Sequence, residues 1–192
     1  MKEKLNVDEL ISAYTQGFFP MAERDGIYWH SPEPRAIIPL ENVPKKPKSL
    51  AKSERKHEFT HTIDYNFEYV IRECSKRRDT WISSEIINSF TELNIIGFAH
   101  SIETWKDGKI VGGLYGVCIG ATFFGESMFN LVDDAAKSAY FYLIELLRRN
   151  NFLLLDSQYI NPFTEKLGAI EIPKQDYINK LNFAISQVRE FK

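Results

Sequence analysis

Three polar side chains stand in apolar surroundings where a charge or an amide has to be satisfied or used. Glu126 interrupts the run FFGESMF, Phe123 to Phe129, and Asp156 and Gln158 close the run LLDSQ, Leu154 to Gln158. Desolvating an unpaired carboxylate costs several kcal/mol, so each acid needs a partner, a hydrogen-bonding cage or a ligand. Residues two apart on a strand point to the same face, so Asp156 and Gln158 would converge on one ligand. The other reading of Asp156 is a buried carboxylate satisfied by neighbouring backbone N–H groups. Ser127 has the type of a nucleophile, but GESMF is not the G-x-S-x-G elbow of hydrolases, and the sequence places none of His30, His57, His61 and His100 beside it. The candidate chemistry therefore concentrates in Glu126 and LDSQ.

Elements around these residues must hold them. Asn6 is suited to cap a short helix with Leu10, Ile11, Ala13 and Tyr14 inward, ended by Gly17. A Trp-bearing turn then leads into a strand within YWHSPEPRAIIPL, with a subdomain boundary at the prolines of SPEPR or PKKPK. Asn66 precedes Phe67, Val70, Ile71 and Cys74 at helical spacing, and Ser83 precedes Ile86, Ile87, Phe90 and Leu93, with Gly97 as a stop. Three strands follow, FAHSIETW, IVGGLYGVCIG and ATFFGESMF, the first two joined by an Asp-Gly turn. Asp133 to Asn150 reads as a long helix with acids in its first turn and arginines in its last. Phe152 to Gln158 is a buried strand, followed by a short helix, the strand-like AIEIP and a final helix near Gln175 to Gln187.

The layout is α+β, an antiparallel-dominated mixed sheet flanked by helices, arranged like the acyltransferases of the GNAT type. A CoA-dependent member of that architecture needs a Gly-rich, often basic turn at the start of the long helix, where free N–H groups hold a pyrophosphate. Here that turn is NLVDDA, and Asp133 and Asp134 would repel the phosphates. An acyl donor other than CoA is therefore preferred, with no cofactor.

With 192 residues the chain makes one domain, or one with a small appendage. It lacks an apolar run of signal-peptide length and any stretch of about 18 apolar residues, so a cytoplasmic protein without a membrane partner is expected. Cys74 and Cys118 match no metal or redox spacing and read as buried free thiols. The net charge of −2 argues against a nucleic-acid partner by itself, DNA in particular, but its distribution does not. Pro44 to His57 carries +5, Arg72 to Asp79 carries +2, and the remainder −9, in the manner of a phosphate-facing patch.

AYTQGFFPM (Ala13 to Met21), WHSPEPRAII (Trp29 to Ile38), TWIS (Thr80 to Ser83), GFAHSIETW (Gly97 to Trp105), VGGLYGV (Val111 to Val117), FFGESMF, LLDSQ and LGAIEIP (Leu167 to Pro173) together resemble the leucyl/phenylalanyl-tRNA protein transferases in order and spacing. The resemblance runs from about Val7 to Leu181. It implies transfer of leucine or phenylalanine, and methionine less readily, from aminoacyl-tRNA to the N-terminal Lys or Arg of a protein, marking it for the bacterial N-end rule pathway. It also implies a small N-terminal subdomain over 1–33 and a GNAT-like catalytic domain over 34–192 that does not use CoA.

The resemblance assigns residues as well. Asp156 and Gln158 look like the catalytic pair, Trp81 like the tryptophan that lies against the terminal adenosine, and Phe123, Leu143 and Leu147 like the pocket for the transferred side chain. Apart from the resemblance, Glu126 reads as a polar anchor at the pocket mouth that holds either the donor's terminal aminoacyl-adenosine or the acceptor's basic N-terminal residue, and Met21, Ser127 and Leu155 complete the substrate-binding set. Lys45, Lys46, Lys48, Lys52, Arg55, Lys56, Arg72, Lys76, Arg77 and Arg78 are then the candidates for tRNA phosphates. The chain departs from the family pattern at Met21, where tryptophan is usual, at Ala136, where a serine is usual, and in NPFTEK, which receives no role. Members commonly have a longer N-terminal segment, so the N-terminal subdomain is reduced here. The alternatives are a CoA-dependent N-acetyltransferase and a non-catalytic tRNA-binding module, the second of which would not need Asp156, Gln158 and the apolar pocket together.

Overall fold

The computed structural model describes residues 5–43 and 45–192. Residues 1–4 of the expected N-terminal subdomain, and Pro44 of the PKKPK boundary, lie outside the described residues. Helices begin where side chains can take up free N–H groups. Asn6 accepts from the Asp8 amide at the start of α1 (Val7–Thr15), Asn66 from Tyr69 before α3 (Phe67–Ser75), and Ser83 from Ile86 before α4 (Ser84–Ile95). The apolar positions read for α3 and α4 are all buried. Between α1 and α3 lie β1 (Phe19–Ala22), β2 (Ile27–His30), β3 (Arg35–Ile38), α2 (Lys48–His57) and β4 (Thr60–Ile63). The meander is β5 (Ala99–Lys106), β6 (Lys109–Ile119) and β7 (Thr122–Asn130), with Asp107 and Gly108 both left-handed in the first turn. Then follow α5 (Ala135–Arg149), β8 (Leu154–Gln158), α6 (Pro162–Lys166), β9 (Ile170–Ile172) and α7 (Lys174–Ile185).

Two readings change. The long helix starts at Ala135, so Asp133 and Asp134 precede it and its first turn holds no acid; Asp134 is its N-cap in a left-handed conformation, without a side-chain capping bond. The basic run from Lys45, for which no element was expected, enters α2, which Leu50 anchors in the core.

β1 and β2 form a separate hairpin, and the other strands make one sheet in the order β4-β5-β6-β7-β8-β3-β9. Every neighbouring pair is antiparallel except β7 and β8. Helix α5 makes the crossover that this parallel pair requires. One face of the sheet is covered by α1, α3, α4 and α7 around Leu10, Tyr14, Val70, Phe90, Tyr115, Phe124 and Leu181. The other is covered by α2 and α5 around Leu50, Leu114, Phe123, Leu143 and Leu147. This is the α+β layout expected, an antiparallel-dominated mixed sheet flanked by helices. Leu10, Tyr14 and Phe19 from the N-terminal stretch pack into the first cluster with α4 and α7. Among the described residues no helix is long and apolar enough to cross a membrane.

Arg35, only 1% exposed, ties the two ends of the chain to the sheet. Its Nε and Nη2 donate to Asp156 Oδ1 and Oδ2 at 2.9 and 2.6 Å, and its Nη1 donates to the Gly17 carbonyl at 2.9 Å. Tyr177 of α7 donates its hydroxyl to Asp156 Oδ2 at 2.7 Å. The guanidinium also lies over the rings of Phe19 and Tyr177, 4.9 and 4.5 Å from their centroids. Gly17 has φ +80, and a Cβ there would stand 2.9 Å from the Tyr177 ring, so this corner requires glycine.

Removing one partner of a buried ion pair leaves an uncompensated charge and costs about 3–5 kcal/mol. Arg35→Ala should lose that much stability in urea unfolding, against about 1 kcal/mol for Tyr177→Phe, which removes a single hydrogen bond. Equal effects of the two substitutions would contradict the role given to Arg35.

Candidate active site

The site forms where the parallel strands part. β7 and β8 pair from Thr122–Leu154 to Phe124–Asp156 and no further. Each strand is bulged at this point. Across β6 and β7, Gly116 faces Gly125 while Tyr115 faces Ser127, so Glu126 is the extra residue. Across β3 and β8, Ile37 faces Asp156 while Ala36 faces Gln158, so Ser157 is the extra residue. A bulge bends its strand and re-aims side chains, which is how a carboxylate and an amide from different strands reach one point. Gln158 ends β8 with φ +62, a conformation that costs a non-glycine residue energy. Its amide N–H donates to Asp156 Oδ1 at 2.9 Å, which helps to hold it there.

Met21, Trp81, Glu126, Ser127, Leu143, Leu155, Asp156 and Gln158 line a cavity of about 270 Å³. Ile38, Leu114, Tyr140 and Leu167 extend its apolar side. Trp81 and Met21 are brought together because the Trp81 carbonyl accepts from the Ala22 amide at 3.0 Å. Phe123 and Leu147 do not line this cavity. Both are fully buried one layer behind it, in the cluster that also holds Leu143 and Leu155, and Phe123 stacks on Phe191 at 5.1 Å. They back the wall rather than form it.

Glu126 sits at the floor rather than the mouth, 9% exposed. Its Oε1 accepts from the Tyr14 hydroxyl at 2.6 Å and from Gln158 Nε2 at 2.9 Å, while Oε2 has no partner. Burial pushes its pKa up to about 7; the bonds from Tyr14 and Gln158 and the Arg35 charge pull it down, and the Asp156 charge adds to the rise. Burial first, and the Glu126 charge second, also raise Tyr14 and Tyr115 well above the phenol range, so both remain phenols. Asp156 and Gln158 do not meet side chain to side chain. Asp156 holds the Gln158 backbone, and Glu126 holds the Gln158 amide.

Ser127 accepts a hydrogen bond from Arg77, which also lines the cavity. The other basic candidates lie elsewhere. Lys45, Lys48, Lys52, Arg55 and Lys56 are exposed on or before α2, and Lys46 is paired with Glu54 and Glu145 at 3.2 and 3.8 Å. Arg72 and Lys76 pair with Glu68 and Glu73 along α3, and Arg78 is exposed beyond it. Helices α2 and α3 cover opposite faces of the sheet, so the two basic runs are not one continuous patch on one layer. A groove of about 750 Å³ borders the cavity and shares Arg77, Met128 and Phe163 with it. It contains Asp133, Asp134 and Lys137 at the start of α5, where Lys137 pairs with Asp134 at 3.1 Å and Asn130 Oδ1 accepts from the Ala136 amide at 3.2 Å. Cys74 and Cys118 are buried free thiols, both pushed up to about 12 by desolvation.

Sequence reasoning missed Arg35, Tyr14, Tyr115 and Tyr177. Arg35 heads the apolar run RAII and so carried the same signal as Glu126, a charge among apolar neighbours. The tyrosines carried no such signal, since a tyrosine in an apolar stretch packs as core whether or not its hydroxyl is used.

Residues 37–182 match the family described as leucyl/phenylalanyl-tRNA protein transferase, and residues 3–33 match the N-terminal domain of that family. Among curated relatives, the leucyl/phenylalanyl-tRNA–protein transferase of Gloeobacter violaceus is 45% identical over 190 residues, covering 98% of each chain. That of Chlorobaculum tepidum is 45% identical over 193 residues, covering 97% of this chain and 99% of the relative. That of Herpetosiphon aurantiacus is 45% identical over 177 residues, covering 92% and 93%.

The raised pKa of Glu126 is also a statement about stability. A carboxyl that titrates near 4.5 unfolded and about 7 folded contributes stability that is fully present below pH 4.5 and is lost as the pH rises through 7. The loss amounts to about 3 kcal/mol. Urea unfolding between pH 4.5 and 8.5 should show that decline in the wild type and a curve flatter by about that amount in Glu126→Gln; parallel curves would contradict the assignment.

Proposed function

The chain belongs to the leucyl/phenylalanyl-tRNA protein transferase family and is an aminoacyltransferase, and on that premise we propose that it moves leucine or phenylalanine, and methionine less readily, from aminoacyl-tRNA to the N-terminal Lys or Arg of an acceptor protein. In this reading the product enters the bacterial N-end rule pathway in the cytoplasm. The observation that carries it is the cavity at the parting of β7 and β8, apolar on the side of Ile38, Leu114, Leu143 and Leu155 and polar on the side of Glu126 and Gln158. Its volume of about 270 Å³ lies just below the ~300–1,000 Å³ usual for small-molecule sites. That suits an aminoacyl group with the rest of the tRNA outside.

The transferred side chain would rest on the apolar wall, and the adenine at the tRNA terminus would lie against Trp81 beside Met21. Selection against smaller side chains is then modest, since a missing methylene in such a pocket is worth about 1–3 kcal/mol. Gly125 lies on the same lining between Phe124 and Glu126. Gln158 would position the attacking amine by hydrogen bonds, and Asp156 supports it through the backbone N–H at 2.9 Å. An α-amino group with a reference pKa of about 7.7–8.0 is partly neutral near pH 7, and aminolysis of an activated ester needs neither ATP nor a metal ion. The ribose hydroxyl at the donor end would help to pass a proton to the leaving oxygen.

Phosphate contacts fall to the lysines and arginines from Lys45 to Lys56 and from Arg72 to Arg78, with Arg77 nearest the aminoacyl end. Such binding is largely independent of tRNA sequence and weakens with salt.

Incubation with leucyl-tRNA should label a peptide beginning with Lys or Arg and not one beginning with Ala; labelling of neither would refute the proposed activity. Gln158→Ala should lower the rate of transfer by at least tenfold with tRNA binding intact. Charge reversal at Arg55 and Arg77 should weaken tRNA binding and flatten its dependence on salt, and unchanged binding would remove these residues from the interface.

A further inference from the structure

The cavity contains two carboxylates, and only one has an oxygen to spare. Asp156 is 0% exposed; its Oδ1 accepts from Arg35 Nε and the Gln158 amide, and its Oδ2 from Arg35 Nη2 and the Tyr177 hydroxyl. With four hydrogen bonds, two of them from a bidentate guanidinium, it has no lone pair in a favourable direction left for a substrate proton. Gln158 is a neutral amide and cannot accept a proton at any useful pH. Glu126 differs from both. Its Oε1 is occupied by Tyr14 and Gln158, but Oε2 is buried without a partner, on a side chain that a β-bulge directs to the floor of the cavity. The Tyr115 hydroxyl, on the facing strand, is also buried without a partner on the cavity lining. An unfilled carboxylate oxygen and an unfilled phenol beside one cavity suit an N–H group.

We propose that Glu126, through Oε2, is the catalytic residue that takes the proton from the acceptor's α-ammonium, and that Asp156 is a positioning residue that never exchanges a proton with substrate. This rests on the aminoacyl transfer proposed above. In the step, the ammonium gives one proton to Oε2 and its nitrogen lone pair attacks the ester carbonyl carbon. The new C–N bond forms, the bond from that carbon to the ribose oxygen breaks, and the second nitrogen proton passes to the ribose oxygen. Amide and ribose hydroxyl result, and Glu126 releases its proton to solvent.

The surroundings agree with this task. Glu126 is approached by Tyr14 from α1, Tyr115 from β6, Asp156 and Gln158 from β8, Arg35 from β3, and on the cavity lining Arg77 from the turn after α3. Arg35 is committed to Asp156, so those two charges largely offset each other at Glu126 and burial dominates. A carboxyl titrating near 7 is within about one unit of an α-ammonium, the match that favours general-base catalysis.

Single-turnover transfer to an Arg-initiated peptide, measured from pH 6 to 9 with saturating aminoacyl-tRNA, tests the assignment. Glu126→Gln keeps an oxygen for Tyr14 and Gln158 but no base, and should lose about 100-fold at pH 6.5. The deficit should narrow to within about tenfold at pH 9, where the acceptor is already neutral. Glu126→Ala should recover activity with added formate at neutral pH, without a change in donor KM, and this decides the matter if the Gln variant does not fold. A loss that is the same at every pH with a raised donor KM, or no rescue by formate, would overturn the proposal by making Glu126 a donor-binding group. A wild-type protein that transfers nothing would instead overturn the activity on which it rests.

Discussion

The ion pair between Arg35 and Asp156 is the constraint on which the rest of the site depends. Isolated charges at that depth would each cost several kcal/mol, and they are tolerated because every hydrogen-bonding direction of the carboxylate is used. One set of contacts joins β3 to β8, the corner after α1 through the Gly17 carbonyl, and α7 through Tyr177. The N-terminal residues are therefore part of the site's frame. Tyr14 and Gly17 come from the stretch that the resemblance sets apart as an N-terminal subdomain, yet one bonds Glu126 and the other bonds Arg35.

Satisfying Asp156 so completely sets the two carboxylates apart. A charge that is paired and fully hydrogen-bonded is rigid and unreactive, which suits it to hold a left-handed Gln158 backbone in place. Glu126, with no cation of its own and one oxygen free of partners, has a proton affinity set by burial. Its position costs stability as the pH rises, and such costs collect where groups are used rather than where they only pack. The bulges at Glu126 and Ser157 are the means of bringing this about, since regular strands would continue to pair and leave no space between β7 and β8.

The walls of the cavity follow the same separation between contact and support. Leu143 and Leu155 face the space, while Phe123 and Leu147 fill the layer behind them. Residues in that second layer act on a ligand by fixing the first, so a change of volume at Phe123 reaches the cavity through Leu143 and Leu155.

Local chemistry in the sequence determined much of this protein. Asn6, Asn66 and Ser83 open helices because their side chains accept the first free amides, and Asp107-Gly108 closes a hairpin because both residues adopt left-handed backbone. The carboxylates in apolar runs stood out in the sequence for a similar reason, since burial of a charge requires an explanation wherever it occurs. Only the tertiary structure decided which partners explain them. Tyr14 and Glu126 are 112 residues apart and Arg35 and Asp156 are 121 apart, and periodicity over a few turns carries no information on such pairings. Depth within the core, the placement of the two basic runs on opposite layers and the single extra residue in each bulge are likewise properties of how strands and helices stack. Short-range hydrogen bonding sets the elements; long-range packing decides which carboxylate is held fast and which is left with a free oxygen.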